Sequence, residues 1–148
     1  MTSTPATTAN SPVLSGIRTA DIPDIWPFVA EMIADGLRSR GAPVNLPPVY
    51  DELRAGIRQL WLATSPGRGI EAALMTRVES DHAGRYCALK LVVGEEPERW
   101  TPLLKDIEAW ALAHGCERIT TEWTRTGWEK ILPDYTAKRV WLEKELGE

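Results

Sequence analysis

The chain has 148 residues, 43% hydrophobic and 26% charged, ordinary globular usage that suits one domain around one core. Its net charge of −4 leaves no basic footprint for nucleic acid, and no apolar run nears the roughly 20 residues that cross a bilayer. No nucleic-acid or membrane partner is therefore expected. The opening MTSTPATTANSPV has neither the basic start nor the apolar stretch of a secretory signal, so the expected location is cytoplasmic.

Residues 1–12 are polar, uncharged and poor in apolar side chains, and read as a flexible tail ahead of a single domain over 13–148. The spacing predicts a strand over 13–18. Asp24 then caps a helix with Pro27 in its first turn, and Ile25, Phe28, Val29, Met32, Ile33 and Leu37 form its apolar stripe. Gly41 and Pro43 end that helix, and 42–48, with three prolines, reads as a loop. A second helix is expected over 49–59, with Leu53, Ile57 and Leu60 on one face.

The middle reads as an antiparallel meander. Strands over 60–64, 70–80 and 86–93 are separated by the turns Ser65-Pro66-Gly67-Arg68-Gly69 and 81–85. Thr101-Pro102 then signals a helix start, a capping hydroxyl followed by proline at the first helical position. Leu103, Leu104, Ile107, Trp110 and Ala111 give that helix an apolar face, and His114-Gly115 stops it. A strand over 116–123 follows, then a short helix over 127–132, and a closing strand or helix over 140–146. The order β-α-α-β-β-β-α-β-α-β implies a mixed α/β sheet with helices on its faces.

Cys87 and Cys116 lack metal-ligand spacing and are expected as reduced core thiols. With two histidines and scattered acids, no metal is expected. Ser80-Asp81-His82 holds triad residue types, but neighbours in one turn cannot take triad geometry. The seven tryptophans read first as core.

The element order, with the opening Ile17-Arg18-Thr19-Ala20-Asp21-Ile22, resembles the GNAT (Gcn5-related N-acetyltransferase) fold over residues 13–146. The C-terminal half is most similar to small GNAT-like proteins of tailed bacteriophages. The matching pieces are Trp100, Ile107-Glu108-Ala109-Trp110-Ala111, Gly115-Cys116, Arg125-Thr126-Gly127-Trp128 and Tyr135. The resemblance implies acetyl-CoA as donor. Its pantetheine arm would lie along Leu91, Val92 and Val93, where the Cys87 and Cys116 strands part, and its phosphates on the loop from Gly94 to Thr101, including Arg99 and Trp100.

That loop departs from the family pattern. Gly94-Glu95-Glu96-Pro97-Glu98-Arg99-Trp100-Thr101 has three carboxylates where glycines usually stand, and Pro97 removes an N–H. Glu122, at the end of the fifth strand, is the candidate base, whereas Tyr135 reads as a packing residue. Two functions follow from the resemblance. One is an acyl-CoA-dependent N-acetyltransferase of phage or prophage type, in the host cytoplasm. The other is a non-catalytic virion or assembly protein that binds other phage protein subunits through its domain and residues 1–12.

Overall fold

A computed structural model of the chain describes residues 11–121 together with Leu132, Asp134, Tyr135 and Lys144. Among the described residues, five strands form one sheet in the order β1-β2-β3-β4-β5: β1 Val13–Ile17, β2 Arg58–Ser65, β3 Gly69–Asp81, β4 Gly84–Gly94 and β5 Arg118–Thr121. The first four are mutually antiparallel, and β5 runs parallel to β4. Helices α1 (Ile22–Ser39) and α2 (Leu46–Ala55) cover one face and α3 (Leu104–Ala113) the other. The expected mixed α/β sheet is present. The elements expected over 127–132 and 140–146 lie, but for Leu132 and Lys144, outside the described residues, as does the end of the strand expected over 116–123.

Several boundaries differ for identifiable reasons. Helix α1 starts at Ile22, so Asp21 rather than Asp24 holds the N-cap position. Asp21 makes no side-chain cap but accepts from Arg18 Nε at 3.0 Å, and Asp24 sits in the first turn, where the helix dipole favours a carboxylate. Helix α2 starts at Leu46, not 49, because Pro47 and Pro48 fit a first helical turn that needs no N–H from them. Gly56, left-handed at φ 79°, ends it, so Ile57 falls outside the helix and is half exposed. Thr101-Pro102 does not start α3. A single helical turn, Pro97–Trp100, and a 3₁₀ turn, Thr101–Leu103, precede it, and Thr101 closes the first of them, its N–H donating to the Pro97 carbonyl. Strand β5 starts two residues beyond Cys116.

The α1 stripe is borne out at Val29 and Ile33, both fully buried, whereas Phe28 is 71% exposed. Gly36 continues the buried face. A Cβ there would meet the Val93 Cβ at 2.9 Å, so α1 lies against the end of β4 more closely than any side chain allows. Gly36→Ala is expected to lose about 1–2 kcal/mol. Overpacking of about 1–3 kcal/mol outweighs the roughly 1 kcal/mol of helix propensity gained. Urea unfolding checks this, and a stabilised variant would show the contact to be loose.

Two bulges set the side-chain pattern. Ala63 faces Ala72 but Thr64 faces Ile70, which leaves Glu71 as the extra residue of β3. Met75 faces Leu91 but Thr76 faces Leu89, which leaves Lys90 as the extra residue of β4. An extra residue breaks the two-residue alternation. Cys87 and Leu89 therefore point to the α3 face, whereas Leu91 points to the α1 and α2 face.

Candidate functional site

The site is built around the end of β4. Parallel pairing of β4 with β5 runs from Tyr86↔Arg118 to Leu89↔Thr121, and the Lys90 bulge follows at once. The bulge is held from three sides. Arg40, at the end of α1, donates to the Lys90 carbonyl, and the Lys90 amine pairs with Glu79 at 2.8 Å. Tyr86 also donates to Glu79, at 2.9 Å. A bulge bends and twists its strand locally, and Leu91 to Gly94 follow it, beyond the last described pair of β4 with β5. The segments carrying Cys87 and Cys116 are thus neighbours, as expected. The residues of β5's side opposite Leu91 to Gly94 lie outside the described set.

Leu91 is buried in the α1 and α2 core, and Val92 and Val93 pack partly buried on opposite faces. Their side chains are therefore committed to the two cores, and their backbone pairs with β3 on one side. Gly94 closes the strand against the other bulge: a Cβ there would lie 2.6 Å from the Glu71 carbonyl oxygen. Glu96, left-handed at φ 51°, then turns the chain into Pro97–Trp100, and its carboxylate accepts from Arg68 at 2.7 Å.

Arg99 does not face outward as the resemblance implied. Its Nε and NH2 donate to the two Glu71 carboxylate oxygens at 2.6 and 2.9 Å, a two-pronged pair with the Glu71 side chain only 6% exposed. Ser65 Oγ donates to the same carboxylate at 2.5 Å. The Arg99 bonds dominate over burial and hold the Glu71 carboxyl at about 2, below its ordinary 4.5. Trp100 is likewise internal, 2% exposed, with its indole N–H donating to the Glu95 carbonyl at 3.1 Å. Sequence reasoning missed Glu71 altogether.

Beyond the loop, Thr101, Leu104, Lys105 and Glu108 line a cavity of about 230 Å³ closed by Leu132, Asp134 and Tyr135. The Tyr135 hydroxyl donates to Glu108 at 2.7 Å, and burial, with that carboxylate, raises its pKa far above the usual tyrosine range. It joins the C-terminal segment to α3 and fits its expected packing role. Glu122 lies outside the described residues. Both cysteines are free and buried, and burial, with Cys116 beside it, pushes the Cys87 thiol up to about 12.

The two halves of an acyl-CoA fit this surface unequally. Past the bulge, on the side of β4 away from β3, lie the backbone groups that an amide-bearing pantetheine arm would need. The loop does not suit a pyrophosphate, because Glu95, Glu96 and Glu98 stand exposed along it while Arg99 is already neutralised by Glu71.

The sequence matches no known family and no curated protein. Solved structures do match. A probable acetyltransferase superposes with a TM-score of 0.68 at 11% identity, over 91% of this chain and 97% of its own. A predicted acetyltransferase with acetyl-CoA from Clostridium acetobutylicum gives 0.64 at 14% identity, over 90% and 96%. A GNAT family acetyltransferase of Staphylococcus aureus gives 0.58 at 15% identity, over 92% and 99%. Strand order, the placement of three helices and these superpositions agree: the chain has the fold of the GNAT acetyltransferases.

Proposed function

We propose that this protein is an acyl-CoA-dependent N-acetyltransferase that holds its donor by the pantetheine arm. The observation that carries this is the Lys90 bulge, which shifts the β3–β4 register just past the last described β4–β5 pair, where a bend in β4 would open its edge to a donor. When bound, the thioester supplies an activated acetyl carbonyl. The chain's own part is to present the Leu91 to Gly94 backbone edge and to fix its direction through Gly36, Arg40 and Gly94. Glu122, next along from Thr121 of β5, is the proposed base that takes the proton from the attacking amine. The Tyr135 hydroxyl is engaged with Glu108, so the proton that returns to the departing thiolate comes from water.

The finer kinship with GNAT-like proteins of tailed phages rests on the matching C-terminal pieces. Among them Trp100, Ile107, Ala111 and Cys116 are core residues, so packing accounts for them without reference to activity. The acidic loop and the Glu71–Arg99 pair favour a second reading, a non-catalytic assembly protein that binds other subunits through its domain and residues 1–12.

Thermal unfolding with about 1 mM ligand separates the two. A donor bound at about 10 μM would add about 2.7 kcal/mol, or roughly 5–10 °C in a domain of this size. Acetyl-pantetheine is expected to bind within about threefold of acetyl-CoA, because the loop gives the nucleotide no cationic cradle. No shift with either thioester would overturn the enzyme reading in favour of the second. Binding of acetyl-CoA alone would overturn the pantetheine-only grip.

A further inference from the structure

A second cleft lies at the other end of the sheet. From Arg85 to Val93, β4 covers about 26 Å at roughly 3.3 Å per residue, so this cleft is remote from the donor edge. Its volume is about 630 Å³, within the range of small-molecule sites. The two-residue alternation places Gln59, Ser80 and Arg85 on the α3 face of the sheet, beyond the end of that helix. Trp110 and His114 form the helix-side wall, stacked with centroids 4.2 Å apart, and Trp61 meets Trp110 edge-on at 5.4 Å.

The floor is fixed by a relay. Trp61 Nε1 donates to Thr76 Oγ1 at 3.0 Å, Thr76 donates to Gln59 Oε1 at 2.8 Å, and Gln59 Nε2 donates to the Gly56 carbonyl at 3.3 Å. Of the charged residues at its edges, Arg58, Arg77 and Glu79 belong by the same alternation to the α2 face of the sheet, which leaves Arg85 as the cation on the α3 face beside the aromatic wall. Glu79 is taken up by Lys90 and Tyr86, and Glu52 engages both Arg58 and Arg77. Arg18 pairs with Asp21 at the rim. Arg85 makes no ion pair among the described residues, and its Cδ lies 3.8 Å from where a Gly115 Cβ would stand, beside the aromatic wall.

We infer that this cleft binds a small aromatic anion, with its ring against Trp110 and His114 and its carboxylate or phosphate on Arg85. An aromatic wall next to an uncommitted guanidinium recognises that combination, and neither group alone does. The probes are indole-3-carboxylate, its neutral amide and inorganic phosphate, followed by amide and indole N–H shifts in ¹H–¹⁵N spectra up to about 10 mM, near the weak end of specific binding. Saturable shifts confined to Gln59, Arg85, Trp110 and His114 are expected for the carboxylate. Arg85→Gln is expected to weaken it at least about fivefold, Arg85→Lys less, with the response to acetyl-pantetheine unchanged. The inference is overturned if the amide or phosphate binds equally well, if no saturation is reached, or if Arg85→Gln, shown folded by its melting temperature, binds as before.

Discussion

Arg99→Ala is expected to cost about 3–5 kcal/mol, the range found when one partner of a buried ion pair is removed and the other left behind. At about 2–4 °C per kcal/mol this is a fall of roughly 6–20 °C in melting temperature. The size follows from Glu71, whose carboxylate is 6% exposed and accepts from Arg99 through both oxygens. Holding that carboxyl at about 2 instead of 4.5, at about 1.36 kcal/mol per pH unit, corresponds to stabilisation on the order of 3 kcal/mol. Because the folded value is the lower one, this contribution is complete above about pH 4.5 and is lost as pH falls toward 2. In Arg99→Ala the buried carboxyl loses its guanidinium, so burial raises it instead. The gap between wild type and variant should therefore be widest above pH 5 and narrow on acidification. A gap independent of pH would show that Arg99 acts through packing. Replacing both residues by leucine should restore most of the loss, since no charge is then buried alone.

This pair also marks where sequence reasoning reached its limit. Arg99 was visible as the one cation in an acidic loop, and a loop cation after a strand suggests an anionic ligand. Its actual partner lies 28 positions earlier on β3. In the sequence Glu71 is one polar residue in an apolar strand, indistinguishable from an outward-facing one, because only the bulge between Ala63 and Thr64 turns it toward the loop. The Lys90 bulge is equally silent: Cys87, Leu89 and Leu91 alternate as though on one face, yet Leu91 lies on the other. Periodicity reports the average path of a strand and not where it slips by one residue. Where stop and turn signals mark an element directly the reading was sound, although the helix starts read at Asp24 and Thr101-Pro102 were displaced. The α3 apolar face, with Leu104, Ile107 and Ala111 buried, and its stop at Gly115, left-handed at φ 83°, were both legible. So was the meander of β2, β3 and β4, since turn residues mark hairpins directly.

Gly94→Ala is expected to be the second severe substitution, costing about 3 kcal/mol or more. Two penalties combine: a backbone at φ 157° that side chains rarely adopt, and a Cβ 2.6 Å from the Glu71 carbonyl and 2.7 Å from the Ala72 Cβ. The first obstacle is backbone, so no rotamer change relieves it, and either β4 or the Glu71 bulge must move. Movement of the bulge carries the Glu71 carboxylate away from Arg99, so this substitution and Arg99→Ala should be less than additive, with coupling of about 0.5–3 kcal/mol. Gly41→Ala is the control, because Gly41 is also left-handed, at φ 78°, but has nothing within 4 Å of its added carbon. It should cost only about 1 kcal/mol, the backbone term alone. If the two alanine variants unfold at the same urea concentration, or if Gly94→Ala and Arg99→Ala add fully, then the end of β4 does not rest on the bulge of β3. The ion pair would then hold the loop without aiming the strand edge on which donor binding depends.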